Sequence, residues 1–422
     1  VLGIGVLGVG CRVLGTLGTG CWVLATQYPL PRTRYPGAGA ERPDSQYPAP
    51  DTRWRGECGG THNPIPGGGV GGGDYIPAVS RPASVSAPHV LLVRFGAMGD
   101  VILTTPLIRA LRRAHPSVRL TVVTRDRYAP LLEGNPHVHR VIALGPGSTL
   151  ATIARDLRLE TFTHRLDLHR SLRSRQLRWL VGGRWTSYPK HRVARTVLIR
   201  MHRDIYRDRR PVAERYFDAA RSLGVHPDGD PAEVFVDVAT LRRADQALAA
   251  GGRRDDSRTL LALAPGAAHA SKRWPLAHWE DLAARLEARG TTDLVVLGGP
   301  DDAAAGRAIA AAAPTRAVNL AGTLTLRETA AVLKRARAAV AGDTGLLHLS
   351  TAVGTPVVGL YGPTVEAFGF FPYHGRATVL QRDLPCRPCS SHGGPVCPLG
   401  HHRCLVDLDP PAVVHALSHL PR

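Results

Sequence analysis

The sequence predicts an α/β protein built as two successive, doubly wound, Rossmann-like halves that follow a disordered N-terminal extension. Three observations carry that prediction. From His89 onward, short β-branched apolar runs alternate with helical segments. The alternation stops at a charged, glycine-containing patch, Ala250 to Arg258, and then begins again. Glycine-bearing motifs sit between strand and helix, where ligands of open parallel sheets bind.

In the first half, His89-Val-Leu-Leu-Val-Arg-Phe95 predicts a buried strand. Gly96-Ala-Met-Gly-Asp100 is a tight loop, and Val101 to Ala114 has helical periodicity, with Leu103, Leu107, Ile108 and Leu111 on one face. Arg119–Thr124 and Arg140–Leu144 are the next strands. In the second half, Thr259–Ala264, Asp293–Leu297, Ala338–Ala341 and Pro356–Tyr361 predict strands. Leu276–Arg289, Leu326–Arg335 and Leu346–Val353 predict helices. The expected divisions are 1–87 for the extension, 88–255 for the first doubly wound half and 256–422 for the second, the halves to which the resemblance described below assigns acceptor and donor. Ligands are expected in the cleft where the two domains face each other.

Residues 1–87 hold Val-Leu-Gly repeats, three Tyr-Pro pairs and a nearly all-glycine run from Gly67 to Gly73. Such sequence cannot offset its ordering entropy by burial. A signal peptide or membrane anchor would need a basic leading region and fewer glycines. No uninterrupted apolar run reaches spanning length, which predicts a soluble or membrane-surface protein.

The formal charge is +19. It favours anionic partners such as phosphates or a negatively charged membrane surface, although an Arg-, Ala- and Gly-rich composition gives the same excess. No nucleic-acid-binding motif accompanies it and aromatics are only 5% of the chain, so nucleic acid is not an expected partner.

Four constellations carry chemistry. In Gly96-Ala-Met-Gly-Asp100 the glycines, Gly99 among them, let backbone approach a ligand, and Asp100 can accept a proton from an acceptor hydroxyl. An ordinary N-cap aspartate would look the same. The third glycine of a dinucleotide fingerprint is missing, and Thr124-Arg125 stand where its acidic residue belongs. In Pro265–Pro275, Lys272 and Arg273 follow a strand, where a diphosphate needs a cation; a solvated basic loop is the plain alternative. Gly342-Asp343-Thr344-Gly345-Leu346-Leu-His348 offers free helix N–H groups to phosphate oxygens, with His348 one turn inside. Cys386-x-x-Cys389, with Cys397 and Cys404, has a first spacing that suits a structural zinc; reduced, packed thiols would account for it equally. The Arg-rich stretch from Arg170 and Arg173 through Arg184, Lys190 and Arg192 suits an acceptor bearing anionic sugar or lipid phosphate, or is a solvated basic face.

Taken in order, Val93–Val101, Asp167-Leu-His-Arg-Ser171, Lys272-Arg-Trp-Pro275, Gly342–Leu349, Gly354-Thr-Pro356, Tyr361-Gly-Pro363 and Cys397-Pro-Leu-Gly-His401 resemble glycosyltransferase family 9, the bacterial ADP-heptose:lipopolysaccharide heptosyltransferases. The resemblance spans about residue 89 to the C-terminus. It implies the GT-B architecture, with the nucleotide-sugar donor on the second domain. It also implies an inverting transfer, with no required cofactor, in lipopolysaccharide core biosynthesis. The setting would be the cytoplasm, with peripheral contact at the inner membrane surface. The family's catalytic base matches Asp100. Its phosphate-contacting lysine matches Lys272, and its donor-binding residues match Asp343, Thr344 and Gly345. Ala267 and Ala268 depart from the family's hydroxyl residues, and Asn319 stands near the position of an acidic residue that holds the donor ribose. Two rival readings are a sugar-nucleotide epimerase of the same shape, which needs further carboxylates in the cleft, and a noncatalytic anionic-glycan-binding protein.

Overall fold

The computed structural model describes residues 21–24, 87–253 and 257–420. Five strands form the first sheet: β2 (His89–Val93), β3 (Arg119–Arg125), β4 (Arg140–Leu144), β5 (His164–Asp167) and β6 (Thr186–Ser187), all parallel and ordered β4-β3-β2-β5-β6. The second sheet contains β1 (Cys21–Leu24), β7 (Thr259–Ala264), β8 (Thr292–Val296), β9 (Ala317–Asn319), β10 (Ala338–Gly342), β11 (Val357–Tyr361) and β12 (Ala377–Arg382). Its order is β1-β12-β11-β10-β7-β8-β9. β1 pairs antiparallel with β12, so this part of the extension joins an edge of the sheet. The other expectations for residues 1–86 lie outside the described residues.

The chain runs outward from β2 to β4 and then resumes on the other side at β5. It runs outward from β7 to β9 and resumes at β10. Each reversal opens a crevice at the carboxyl ends of two neighbouring strands. The loops after β2 and β5 flank the first crevice, and those after β7 and β10 flank the second. Every chemistry-bearing motif except the cysteine-rich tail therefore starts at a reversal.

Helices cover the sheets with apolar side chains. Val90, Leu92, Leu107, Leu111 and Leu120 are fully buried in the first half, and Leu263, Trp279, Leu282, Leu294 and Val340 are nearly so in the second. Burying one such aliphatic side chain contributes roughly 1.5–3 kcal/mol. An exposed ion pair such as Arg285–Asp281 contributes about 0–1 kcal/mol. The cores, not the charged surface, hold the site in place.

The helix expected from Val101 to Ala114 is two helices, Met98–Ile102 and Thr105–Ala114. The break has a local cause. Thr104 turns its N–H and its hydroxyl onto the Val101 carbonyl, and Pro106 opens the second helix. The helix Val238–Ala250 precedes the boundary at residue 255, yet it packs on Leu326–Arg335 of the second half, with Asp245 paired to Arg335 at 2.6 Å. Among the described residues no helix is long and apolar enough to cross a membrane.

Candidate active site

Asp100 stands in the first crevice, in the first turn of Met98–Ile102. It is not the N-cap, which is Ala97; instead its Oδ2 accepts the Ala97 N–H at 3.0 Å. Gly96, at φ +149°, starts the turn against the Tyr128 ring, where a Cβ would sit 2.6 Å from a ring carbon. Arg94, just past the end of β2, places a guanidinium nitrogen 2.5 Å from Asp100 Oδ1. The Tyr216 hydroxyl donates to the same oxygen at 3.3 Å. Burial pushes the Asp100 carboxyl up, but Arg94 and the Ala97 N–H outweigh it and hold the group below the ordinary aspartate value. Asp100 is thus ionised at neutral pH, with its lone pairs already engaged.

In the second crevice, the loop after β7 carries Lys272, whose Nζ lies 2.6 Å from Asp343 Oδ2 after β10. Thr364 donates to that same oxygen at 2.6 Å. The buried Asp343 carboxylate is therefore spoken for, and it fixes the lysine. Thr344 caps the helix Gly345–Ala352, and its buried Oγ1 has no partner. The first N–H groups of that helix have no intrahelical acceptor, which makes its end a place for phosphate oxygens. His348, one turn in, is buried with Nδ1 unpaired. Burial keeps its pKa below the ordinary imidazole value, against the pull of Asp343 and Asp100, so the ring is neutral at pH 7.

The two crevices meet through glycine. A Cβ on Gly99 would stand 2.5 Å from the His348 ring, and one on Gly345 would stand 2.5 Å from Met98 Sδ. These absent side chains let the helices Met98–Ile102 and Gly345–Ala352 pack directly on each other. A cavity of about 230 Å³ opens there, lined by Gly99, Asp100, Lys272, Asp343, Thr344, Gly345 and His348 among others. Seven of the residues expected from sequence thus line one cavity. Leu346 is half-buried against the core instead, and Arg170 and Arg173 do not line this cavity. Arg170 is tied through its N–H to Asp167 and through its side chain to the Tyr188 carbonyl.

Sequence reasoning missed the far wall. A second pocket of about 70 Å³ adjoins Asp100, lined by Arg94, Tyr188, Arg195, Arg215, Phe370 and Lys190 among others. Of these, only Tyr188 and Lys190 fall within the stretch expected to meet the acceptor, and only Lys190 was singled out there. Ser391 and His392 of the cysteine-rich tail also line the main cavity. The tail is sewn to the lysine loop: Ser271 N–H donates to the Gly394 carbonyl at 3.1 Å, and Gly394 N–H donates to Ser271 Oγ at 2.8 Å.

That placement corrects the zinc expectation. Among the described residues no three His, Cys, Asp or Glu side chains group closely enough to hold a metal ion. Cys386 Sγ lies 4.0 Å from His401 Nε2, whereas Cys404 is turned into the core beside Gly362 and Leu405. Burial pushes the Cys404 thiol up to about 11. All four are free thiols.

Residues 150–398 match the model of glycosyltransferase family 9 (heptosyltransferase). The chain belongs to this family. Lipopolysaccharide heptosyltransferase 1 of Pseudomonas aeruginosa is 30% identical over 333 residues, covering 76% of this chain and 91% of that protein. Lipooligosaccharide heptosyltransferase 2 of Haemophilus influenzae is 26% identical, covering 79% and 99%. Among solved structures, a family 9 glycosyltransferase from Veillonella parvula superposes with a TM-score of 0.65 at 23% identity, covering 79% and 96%. The E. coli ADP-heptose lipopolysaccharide heptosyltransferase II does so with 0.61 at 23%, covering 78% and 97%. The fold is GT-B and the protein is a glycosyltransferase.

In this family 9 chain, Asn319 closes β9 and is occupied locally. Its amide donates to the Ala303 carbonyl at 3.3 Å and its oxygen accepts the Ala321 N–H at 3.1 Å. Ala268 and His269 line the main cavity, so the loop before Lys272 presents a methyl group and an imidazole there, not a hydroxyl.

Proposed function

We propose that this glycosyltransferase moves a heptose from an ADP-sugar to a hydroxyl of a glycan or glycolipid acceptor, with inversion at the anomeric carbon. The observation that carries the reading is the position of Asp100. It borders both pockets, opposite Lys272 and the N-terminus of Gly345–Ala352. An acceptor hydroxyl beside Asp100 gives up its proton to the carboxylate while its oxygen bonds to the anomeric carbon. The bond from that carbon to the diphosphate breaks with its electron pair, and the nucleoside diphosphate leaves from the opposite face. Lys272, the Thr344 hydroxyl and the N–H groups from Gly345 to Leu347 meet the growing charge, which is the larger electrostatic contribution in such sites. Asp343 orients Lys272. The neutral His348 ring, beside both carboxylates, faces the sugar.

The acceptor side suits work at the cytoplasmic face of the inner membrane. Leu172 and Trp179, 78% and 80% exposed, share one stripe of the helix Leu172–Val181 with Arg175. Val193 is 73% exposed beside Arg192. Apolar side chains ringed by arginine fit an anionic lipid surface. A donor screen by mass spectrometry, offering ADP-heptose beside UDP- and GDP-sugars, tests the reading, with the anomeric configuration of the product read by NMR. Turnover of ADP-heptose with inversion is expected; turnover only of another nucleotide-sugar, or retention, overturns it.

A further inference from the structure

The small pocket on the far side of Asp100 carries a charge imbalance that transfer to a neutral hydroxyl does not use. Its lining holds four cations, Arg94, Lys190, Arg195 and Arg215, and one carboxylate, Asp100. Arg215 is 1% exposed and Arg94 6%. Among the described residues Arg215 donates to two carbonyls, of Phe368 and Ala367, each at 3.4 Å, and its guanidinium lies 5.9 Å from the Tyr206 ring centroid. Arg195 lies 5.3 Å from the Phe368 ring centroid, over its face. Lys190 Nζ donates to the His169 carbonyl. The Nε groups of Arg94, Arg195 and Arg215 are buried without a partner. Burying a guanidinium costs free energy unless charge and hydrogen bonds answer it. Within the lining one aspartate faces four cations, with Asp208 acting on Arg215 from outside it, and a volume of about 70 Å³ stays open, room for water or a small anion.

We propose that this pocket seats an oxyanion of the acceptor, a carboxylate or a phosphate next to the reacting hydroxyl, and that the seated anion strengthens Asp100 as a base by offsetting the hold of Arg94. The inference rests on Asp100 as the proton acceptor. The resting carboxylate is faced from every side by groups that weaken or share its lone pairs. Arg94 comes from the end of β2, Tyr216 from the segment after Val212–Arg215, and His348 from the second half. Lys190 and Tyr188 come from the loop after β6, His169 from the loop after β5, and His392 from the tail. Of these, Arg94 is the strongest and the one shared with the pocket. A negative charge beside Arg94 opposes the ionised form of Asp100 and raises its proton affinity. The acceptor then carries its own trigger, and Asp100 stays a poor base towards water while the pocket is empty.

The test needs no natural acceptor. The full chain is saturated with ADP, which occupies the diphosphate site at Lys272, and is titrated with inorganic phosphate or acetate. The Asp100 carboxyl is followed by NMR of protein labelled with ¹³C-aspartate, with Asp100→Asn assigning the signal. Saturable phosphate or acetate binding is expected, with the Asp100 titration moving upward by roughly one pH unit or more. Stronger binding of phosphate points to a phosphorylated sugar, and stronger binding of acetate to an acidic one. Lys190→Gln and, separately, Arg195→Gln should lose the binding and the shift while ADP affinity stays the same. No binding by either anion, binding indifferent to both variants, or binding with an unmoved Asp100 titration overturns the proposal. Failure of the transferase reading shows elsewhere, as absent ADP-heptose turnover.

Discussion

Both crevices arise in the same way, at a reversal of strand order, yet they handle charge differently. After β7 and β10, Lys272 and Asp343 neutralise each other at 2.6 Å, and an incoming anion meets mainly backbone N–H groups and an unpaired threonine hydroxyl. After β2 and β5, cations outnumber carboxylates and the single carboxylate is clamped. The crevice after β7 and β10 is therefore balanced when empty, and a helix end adds its dipole there whatever the side chains. The crevice after β2 and β5 is unbalanced when empty, and its charge lies in side chains. A constant ligand suits the first and a variable one the second.

The contrast can be broken hardest at Asp100. Asp100→Asn should lower turnover by ~10²-fold or more, the usual cost of a lost general base, with donor affinity retained because that crevice is untouched. It should also lower stability, by up to about 3 kcal/mol, because a buried Arg94 loses its counter-charge. Calorimetry and initial rates on one variant check both, and unchanged turnover would remove Asp100 from the chemistry. On the other side, Lys272→Ala should weaken ADP binding roughly 10- to 100-fold, the value of one charge-assisted hydrogen bond. Because Asp343 is then left with Thr364 alone, Lys272→Ala/Asp343→Asn should recover stability but not affinity; isothermal titration and melting curves separate the two.

A pH series sharpens the difference further. Burial, Arg94 and Arg192 lower Lys190 to about 8, so its charge is present below that pH and is lost above it. The KM for the acceptor should rise severalfold as pH climbs through about 8, while donor affinity stays level. Lys190→Arg, charged throughout, should flatten the rise. The smallest expected effect is none: EDTA should change neither melting temperature nor rate, since the four thiols do not converge on a metal. A chelator-induced loss of either would restore the zinc expectation.

The parts of this site legible in the sequence are those set by short-range geometry. A glycine-bearing loop between an apolar run and a periodic helix marks its own place, so Gly99, Asp100, Thr344 and Gly345 could be found before any contact was known. Arg94 could have been suspected, since a charged residue directly after four apolar strand residues leaves the sheet at its ligand-binding end. Tyr216 could not, because 116 positions separate it from Asp100 and its segment has no motif. β5 was missed because His-Arg-Leu-Asp holds one apolar residue and lacks the strand pattern. The cysteines misled for a related reason. Cys386-x-x-Cys389 satisfies a local spacing rule, but metal binding requires at least three ligands aimed at one point, and no such group forms among the described residues.

The glycine-to-side-chain crossing of Met98–Ile102 on Gly345–Ala352 sets how little room the reacting groups have, because Asp100 and Thr344 both adjoin contacts that leave no space for a Cβ. The Cβ of Gly99→Ala would press on the His348 ring from 2.5 Å, a displacement that reaches the reacting atoms first and the ligand entrances last. Its signature is a lower kcat at an almost unchanged KM for either substrate.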